Sequence, residues 1–395
     1  MGNKEHIFLA SPHMSEEGYE QEYIKEAFDT NWIAPLGKNV TEFEKEMEEK
    51  TGAKKAVALS SGTAAIHMAL KAIGVKEGDI IFCQSLTFAA TANPIIYEKA
   101  IPVFIDSEEE TWNMSPAALQ MAFEKYEKMG RLPKAVIVVH LYGISAQIEK
   151  IADICRKYKV ALVEDAAESL GTLYKGKYTG TFGDYGIISF NGNKIITTSG
   201  GGMLFINTKD AEKKAKKVLF WATQAREQAL WYQHEEIGYN YRMSNIVAGI
   251  GRGQLKILDK RVEKKRYIYD FYERKLGKIT GFHMMPKERE MDSRNNCWLT
   301  AVQLSGERKR PFEIIEAFKE SDIESRPIWK PLHLQPVFNH CDFITEVEKQ
   351  KIVDEKTGAD SSVAGNIFCN GLCLPSDTKM TDDDLERVCK VLLVE

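Results

Sequence analysis

Residues 56–73 read AVALSSGTAAIHMALKAI, a short apolar run followed by a polar turn and then by a helical pattern. Residues 56–59 have the length and composition of a buried strand, and the apolar residues of 63–73 recur at helical spacing. The turn Ser60-Ser61-Gly62 precedes helix amides that have no intrahelical partner and can therefore bind an anion. A simple helix N-cap without a ligand explains the same residues. On either interpretation, the stretch predicts a strand that passes directly into a helix.

The same alternation of apolar runs and amphipathic segments continues to about residue 205. The runs are rich in Val and Ile, as is typical of parallel strands that are buried on both faces, with helices between them. We therefore expect an α/β fold with a mostly parallel central sheet flanked by helices. The predicted strands are residues 56–59, 80–82, 102–105, 135–139, 160–163 and 187–190, and the predicted helices are 63–73, 117–128 and 147–159.

The pattern changes toward the C-terminus. One long helix is predicted from an N-cap at Ser244 to about Leu276. Beyond it, the pattern favours a smaller α+β domain. We place a large domain, which includes the N-terminal segment, at residues 1–255 and a small C-terminal domain at 256–395. The elements predicted in the small domain are a strand at 297–304 and helices at 310–321 and 382–393.

Composition argues against several classes of protein. The 395 residues include 53 Lys and Arg and 57 Asp and Glu, a balance that predicts no binding to nucleic acid or to a membrane. No apolar run reaches the roughly 18 residues of a membrane span, and the first residues do not resemble a secretory signal. The 7 cysteines are scattered, which favours reduced thiols and a cytoplasmic location. Cys369 and Cys373 lack a second pair at zinc-ligand spacing, so we predict no metal site.

Two more polar segments follow predicted strands, at the sheet edge where open α/β sheets bind ligands. Residues 163–168 (VEDAAE) end a buried strand with three carboxylates, which need a partner such as a protonated heterocyclic nitrogen or an Arg. Residues 188–194 (ISFNGNK) place Lys194 after another buried strand and before the glycines 200–202. Most lysines lie in water, whereas one that is partly withdrawn from water can act as a nucleophilic amine toward an aldehyde.

Together these segments resemble the DegT–StrS family of pyridoxal-phosphate-dependent sugar aminotransferases, within the aspartate aminotransferase superfamily. The resemblance runs through nearly the whole chain in order and spacing. It implies an aspartate aminotransferase-like fold of type I and pyridoxal 5′-phosphate as cofactor. The matching motifs are SGTAA (61–65), SLTF (85–88), HLYG (140–143), EDAA (164–167), SF (189–190) leading to Lys194, GYNYRM (238–243) and RPIWKPLH (326–333).

The resemblance also implies a role for individual residues. Lys194 would carry the cofactor as a Schiff base and then act as the acid–base catalyst. Asp165 would pair with the pyridinium nitrogen and keep it protonated, and Phe88 would stack on the ring. Asn240 would reach the phosphate of the partner subunit, which makes the protein a homodimer with shared active sites. The phosphate would be bound within one subunit by Gly62, Thr63, Ala64 and Ser189.

Glu168 departs from the family pattern, which usually has Gln or His at this cofactor-binding position near the ring hydroxyl. A carboxylate there has to be protonated or turned away. Together with residues 31–37 and 191–202, Glu168 is most similar to the bacillosamine-pathway branch. That branch implies transfer of an amino group from L-glutamate to C4 of a UDP-linked 4-keto-6-deoxy-N-acetylhexosamine. The product would be a UDP-4-amino-4,6-dideoxy-N-acetylhexosamine for the synthesis of surface glycans or nonulosonic acids.

The candidate substrate-binding residues are cationic or aromatic. A diphosphate needs cations and hydrogen-bond donors, and an aromatic face suits uracil or a sugar. A structural role explains each of these residues equally well. The candidates are Arg242, Lys330 and His333 for the diphosphate, and Trp329 and Trp32 for the rest of the nucleotide sugar.

Several alternatives stay open. The substrate could be another nucleotide ketosugar, either 3-keto or GDP-linked. A dehydratase of the same family typically has His in place of the lysine, so Lys194 favours transamination. A regulatory protein on this scaffold is the non-enzymatic alternative. Residues 171–177 (GTLYKGK) have P-loop spacing, but Tyr178 stands where Ser or Thr would bind magnesium, which argues against a nucleoside triphosphatase.

Overall fold

The computed structural model describes residues 5–288, 290–306, 310–348 and 350–393. The strands, in chain order, are β1 (Lys55–Leu59), β2 (Ile80–Gln84), β3 (Ile101–Ile105), β4 (Ala135–Val139), β5 (Ala161–Asp165), β6 (Leu173–Tyr174), β7 (Lys177–Tyr178), β8 (Tyr185–Ser189), β9 (Gly202–Ile206), β10 (Phe282–Met284), β11 (Thr300–Leu304), β12 (Arg326–Pro327), β13 (Asp342–Ile344), β14 (Ile352–Asp354), β15 (Ala359–Asp360) and β16 (Gly371–Leu374). The α-helices are α1 (Tyr19–Asp29), α2 (Lys38–Thr51), α3 (Gly62–Ile73), α4 (Asn93–Tyr97), α5 (Pro116–Lys128), α6 (Ile148–Tyr158), α7 (Ala211–Ala222), α8 (Asn245–Leu255), α9 (Leu258–Leu276), α10 (Pro311–Glu320), α11 (Val363–Asn370) and α12 (Asp382–Leu393).

A central sheet of eight strands is formed in the described chain, in the order β1-β9-β8-β5-β4-β2-β3-β13. The strands from β8 to β13 run parallel to one another, while β9 is antiparallel to both of its neighbours. Successive strand residues point to opposite faces of the sheet, and apolar residues on both faces pack against helices. In β2, for example, Ile81 packs with the α3 and α7 side and Phe82 with the α5 and α6 side. The predicted α/β class, a mostly parallel sheet flanked by helices, is therefore confirmed.

The structure contains elements that the sequence patterns do not predict, among them α1, α2, α7 and β13, and it differs further at β9 and at the long helix. Strand β9 was not predicted, although it lies between β1 and β8 and all five of its residues are buried. The long helix predicted from Ser244 to Leu276 is in fact two helices, since α8 ends at Leu255 and α9 begins at Leu258. Both halves keep apolar residues at helical spacing, and periodicity alone does not register a break between them.

A second sheet of four antiparallel strands, β10-β11-β16-β12, packs against α9, α10 and α12. This is the small α+β unit that the C-terminal sequence predicts. Two segments, however, cross the predicted boundary between residues 255 and 256. Strand β13 pairs with β3 in the large sheet, and Ile7 bridges to Ile323 beside the small sheet. The exact domain division stays a prediction, because each unit contains a segment from the other side of the predicted boundary.

No helix in the described part of the chain is long and apolar enough to cross a membrane. All 7 cysteines are free thiols, and Cys83, Cys155, Cys297, Cys373 and Cys389 are buried.

The carboxyl ends of β5 and β8 meet the turn between β1 and α3 at one edge of the large sheet. Asp165 ends β5 and Ser189 ends β8, while Gly62 begins α3. Gly202, at the start of β9, lies directly against this turn. A Cβ atom added at Gly202 would lie 2.2 Å from the carbonyl carbon of Ser61. This close approach of two backbones positions the N-terminus of α3.

We therefore expect Gly202→Ala to destabilise the protein, because a methyl group would push against backbone rather than a flexible side chain. The expected loss in the free energy of unfolding is about 1 to 3 kcal/mol, measured by urea denaturation. The matched control is Gly200→Ala in the same glycine run. A Cβ atom at Gly200 meets nothing within 4 Å, so the change should stay within about 0.5 kcal/mol. Equal stabilities for the two variants would contradict this account of the turn.

Candidate active site

A cleft of about 460 Å³ opens at this edge of the sheet. Besides sheet residues, it is lined by side chains from the α3 turn, from residues 87–91 and from Trp298 and Trp329. A larger groove of about 660 Å³, beside Arg310 and Cys369, contains none of the predicted site residues. The cleft brings together most of the predicted cofactor-binding residues, namely Gly62, Thr63, Phe88, Asp165, Glu168, Ser189 and Lys194.

The turn at the start of α3 has the features of an anion site. The hydroxyl of Ser61 caps the helix and accepts the amide of Ala64 at 3.0 Å, so the Ala64 amide, a predicted phosphate ligand, is already engaged. The amides of Gly62 and Thr63 have no hydrogen-bond partner among the described residues. A Cβ atom at Gly62 would lie 3.3 Å from the Cβ of Ser189, so glycine lets this backbone approach the end of β8. Two free amides at a helix N-terminus, with the nearby Ser189 hydroxyl, suit a phosphate group.

Asp165 is a buried carboxylate held by neutral groups. It accepts a hydrogen bond from the Thr91 hydroxyl at 2.8 Å and another from the Ala167 amide at 3.2 Å. Thr91 is itself bonded to Thr87 at 2.8 Å. Burial is the largest effect on this group and raises the pKa of Asp165, and the two hydrogen bonds and the charge of Lys194 only partly oppose it. A cationic ring nitrogen at the cleft would stabilise the ionised form, so the residue fits its predicted role.

The other two carboxylates of the VEDAAE segment serve different purposes. Glu164 is fully buried on the opposite side of β5, where it meets His140 at 2.9 Å. It also accepts three backbone amides between 2.6 and 2.8 Å, so it is a structural anchor. Glu168 faces the cleft, where it accepts the Tyr142 amide at 2.7 Å and lies 3.4 Å from the Lys194 amine.

The Lys194 amine lies inside the cleft with its side chain 14% exposed. Its Nζ atom lies 4.0 Å from the centre of the Trp298 ring. Trp298 follows Lys194 by 104 residues in the chain, and no sequence pattern predicts that it lies in the cleft. Thr91 and Tyr142 hold Asp165 and Glu168 by hydrogen bonds. Tyr142 lies in the HLYG motif, which assigns it no site role, and Thr91 lies in none of the motifs, because the role of each is a spatial contact.

Aromatic side chains form one wall at the mouth of the cleft. Phe88 is 60% exposed, with its ring centre 6.2 Å from that of Trp329. The Tyr142 hydroxyl accepts the backbone amide of Trp329 at 3.1 Å and fixes its position. The indole nitrogen of Trp329 is buried and has no hydrogen-bond partner among the described residues. Trp329 lines the cleft, and its role in substrate binding stays a prediction.

The three predicted diphosphate ligands are all engaged elsewhere. Arg242 is ion-paired with Glu44 and donates to a backbone carbonyl, so its charge is already neutralised. His333 lies 2.6 Å from the Ser85 hydroxyl and stacks on Phe343 with ring centres 3.7 Å apart. The Lys330 amine donates to the carbonyl of Thr357 at 2.8 Å. None of these three residues lines the cleft, so the structure supplies no support for the prediction that they bind the diphosphate.

Two other predicted residues lie outside the cleft of this chain. Trp32 is 53% exposed on the connection between α1 and α2, and Asn240 is exposed near the end of a surface loop. Neither contributes to the cleft lining. For Asn240 this is the position that a residue needs if it is to reach a second subunit.

Residues 14–393 match the model of the DegT/DnrJ/EryC1/StrS aminotransferase family. The chain belongs to this family. It is 54% identical to EpsN of Bacillus subtilis (strain 168), which is provisionally designated a pyridoxal phosphate-dependent aminotransferase. The similarity extends over 387 residues and covers 98% of this chain and 95% of EpsN. It is also 33% identical over 373 residues to the GDP-perosamine synthase of Escherichia coli O157:H7, covering 94% of each chain.

A third member of the DegT/DnrJ/EryC1/StrS family is similar over a shorter stretch. The UDP-4-amino-4,6-dideoxy-N-acetyl-beta-L-altrosamine transaminase of Campylobacter jejuni is 37% identical over 244 residues, covering 61% of this chain and 63% of the relative. Among solved structures, a family aminotransferase from Brucella abortus superimposes with a TM-score of 0.83 at 27% identity, covering 95% of each chain. The predicted aspartate aminotransferase-like fold of type I is thereby confirmed.

The protein is thus a pyridoxal-phosphate-dependent sugar aminotransferase. The residues present fit the cofactor on structural grounds. Free amides at Gly62 and Thr63 suit its phosphate, the buried Asp165 lacks a full cationic partner, and Lys194 offers an amine in the same cleft.

The raised pKa of Asp165 predicts that this carboxylate costs stability in the cofactor-free protein. The folded state keeps the proton at pH values where the unfolded chain has lost it, so the cost grows as pH rises above the ordinary value of 3.8. Asp165→Asn keeps the size of the side chain, and its amide can donate to Thr91. We expect cofactor-free Asp165→Asn to be more stable than wild type by roughly 1 to 3 kcal/mol at pH 8, with a smaller difference near pH 3.8, where the unfolded chain also keeps the proton. Thermal unfolding at both pH values measures this.

Asp360→Asn is the control of opposite sign. Burial acts to raise the pKa of Asp360, but hydrogen bonds from His333 and Ser362 outweigh burial, and the net shift is downward. That carboxylate therefore stabilises the fold at neutral pH, and its replacement should lower the melting temperature. A loss of stability at pH 8 in both variants would show that Asp165 is not a strained charge.

Proposed function

We propose that this protein transfers an amino group from L-glutamate to C4 of a UDP-linked 4-keto-6-deoxy-N-acetylhexosamine in the cytoplasm. The observation that carries the proposal is the placement of the Lys194 amine in one cleft with Asp165 and the free amides of α3. An amine, a buried carboxylate and an anion site are the three groups that a pyridoxal-phosphate transaminase requires.

The chain's own residues divide the work. When bound, pyridoxal phosphate supplies an electron-withdrawing ring that stabilises negative charge next to the reacting nitrogen. The Lys194 amine is the attachment point and, once free, moves a proton to or from the carbon that gains or loses nitrogen. Asp165 holds the ring nitrogen protonated, while the Gly62 and Thr63 amides with the Ser189 hydroxyl orient the phosphate. Phe88 lines the cleft at its mouth, where it would stack on the ring.

The choice of C4 and of UDP is supported by similarity. Glu168 and the segments 31–37 and 191–202 resemble the bacillosamine branch. The Campylobacter jejuni relative is named for a UDP-linked 4-amino-4,6-dideoxy-N-acetyl sugar. The relative from Escherichia coli is named for GDP-perosamine, and this observation favours a GDP-linked ketosugar as the second candidate.

The cleft of one chain is short of positive charge for a nucleotide diphosphate. Among the described residues, Lys194 is the only Lys, Arg or His in its lining. Arg242, Lys330 and His333 are engaged with other groups, and Trp329 is the predicted substrate residue that the cleft retains. We propose that a second subunit completes the site with Asn240 and neighbouring donors. Exposed apolar side chains around that loop, including Leu230, Trp231 and Ile237, support contact with another copy.

A panel of nucleotide ketosugars tests the substrate. We expect glutamate-dependent amination of UDP-4-keto-6-deoxy-N-acetylhexosamine to be faster than that of GDP-linked or 3-keto analogues, with NMR showing a 4-amino product. Lys194→Ala is the control and should lose at least about 1,000-fold in rate and all borohydride-trapped cofactor. Amination of the GDP-linked sugar alone would replace the first candidate by the second. Trapping in Lys194→Ala would refute the role of Lys194.

Mixed dimers test the shared site. Lys194→Ala and Asn240→Ala subunits, each carrying a different affinity tag, are combined and the mixed species purified. If Asn240 acts across the interface, one of the two sites in the mixed dimer contains both native residues, and about half of the wild-type activity should return. If Asn240 acts within its own chain, one site lacks Lys194 and the other lacks Asn240, so activity should not rise above that of Asn240→Ala alone.

A further inference from the structure

Two side chains from distant parts of the chain meet at the Lys194 amine. The Glu168 carboxylate lies 3.4 Å from Nζ, and the ring centre of Trp298 lies 4.0 Å away. Both residues are almost fully buried, at 6% and 2% exposure. An ammonium group is attracted by a carboxylate and by the face of an indole ring, and both attractions strengthen when water is excluded.

Trp298 also fixes the backbone next to Lys194. Its indole nitrogen donates to the carbonyl of Asn193 at 2.7 Å. Lys194 lies on the loop between β8 and β9, where its own amide donates to the Asn191 carbonyl at 2.9 Å. The indole therefore makes two contacts with the lysine segment, one to the main chain before the lysine and one to the end of its side chain.

A single buried amide couples the two contacting residues. The Asn296 side chain accepts the Trp298 amide at 2.9 Å and donates to the Glu168 carbonyl at 2.9 Å. It is fully buried, and a Cβ atom at Gly143 would lie only 1.7 Å from its oxygen. Asn296 thus fixes the distance between Glu168 and Trp298.

The backbone at both contacts adopts an uncommon conformation. Tyr142, whose amide donates to Glu168, has a φ of 54°, and Cys297, which precedes Trp298, has a φ of 51°. Non-glycine residues in the left-handed region cost free energy and persist where the surrounding structure enforces them, often at functional sites. The enforcing contacts here are the hydrogen bonds of Glu168 and Asn296.

We propose that Glu168 and Trp298 are positioning residues that hold the Lys194 amine whenever it is not bonded to the cofactor. The inference rests on the proposed attachment role of Lys194. Held between a carboxylate and an indole face, the free amine stays within the cleft and keeps one orientation while substrate occupies the cofactor. Glu168 in this structure faces the lysine, which accounts for a carboxylate at a position where Gln or His is usual in the family.

Chemical labelling of the cofactor-free protein tests the proposal without using turnover. Trinitrobenzenesulfonate reacts with neutral lysine amines, and peptide mass spectrometry reads the rate at Lys194. A paired and shielded amine reacts slowly. At a fixed pH we expect labelling of Lys194 to be about tenfold faster in Glu168→Gln and in Trp298→Leu than in wild type. Trp298→Phe keeps a ring face and loses the hydrogen bond, so an increase of about threefold is expected.

Tyr269→Phe is the matched control. Tyr269 is buried in the same apolar cluster as Trp298, but its hydroxyl donates to the Met285 carbonyl at 3.0 Å and not to the lysine loop. In Tyr269→Phe, Lys194 should be labelled at the wild-type rate. Far-ultraviolet circular dichroism verifies folding, and Trp298→Phe provides the conservative variant if Trp298→Leu unfolds.

A second readout separates this proposal from the proposed function. Single-turnover reaction with glutamate should slow about tenfold in Glu168→Gln and Trp298→Phe, while borohydride still traps cofactor on Lys194 in both. Wild-type labelling rates in Glu168→Gln and Trp298→Phe would overturn the holding role. Failure of borohydride to trap cofactor on the wild-type protein would instead overturn the proposed function. The labelling rates would still test whether Glu168 and Trp298 hold the Lys194 amine.

Discussion

The buried carboxylate of Glu164 is the interaction on which the site depends. A charge without exposure to water is tolerated only when it is fully paired, and Glu164 is paired by His140 and by three backbone amides between residues 180 and 183. These contacts fix the end of β5 against the loop that leads into β8. Because neighbouring strand residues point in opposite directions, anchoring Glu164 on one face directs Asp165 into the cleft on the other. The fully hydrogen-bonded Glu164 thereby orients Asp165, whose hydrogen bonds only partly offset its burial.

The cleft is accordingly built around groups that are left in need of a partner. Asp165 is buried among neutral donors, two amides of α3 are free among the described residues, and Trp329 keeps an unpaired indole nitrogen. Each is unfavourable for the protein alone and becomes favourable when a ligand of the right charge arrives. The stability that the empty fold gives up at these positions is available as binding energy for the cofactor and substrate.

Sequence patterns predicted the large sheet well because apolar periodicity reports burial directly. They missed β9, whose first residue belongs to a glycine run, and they joined α8 to α9 because both carry the same apolar period. Motifs likewise placed Lys194, Asp165 and the α3 turn in one cleft. The motifs could not predict that Arg242 is ion-paired with Glu44, because the sequence gives the charge of a residue but not its partner in the fold. Trp298 carries no local signal, since its importance lies in a contact across 104 residues of chain.

The chain crosses between the two sheets more often than a simple two-domain division allows. The N-terminal segment bridges to Ile323 beside the small sheet, and β13 returns from the C-terminal half to extend the large one. The N-terminal half therefore contributes a segment beside the small sheet, and the C-terminal half contributes a strand to the large sheet. Cutting the gene between α8 and α9 would yield two fragments with open edges rather than two folding units. Both halves of the sequence are therefore needed to complete the eight-stranded sheet that carries the cleft.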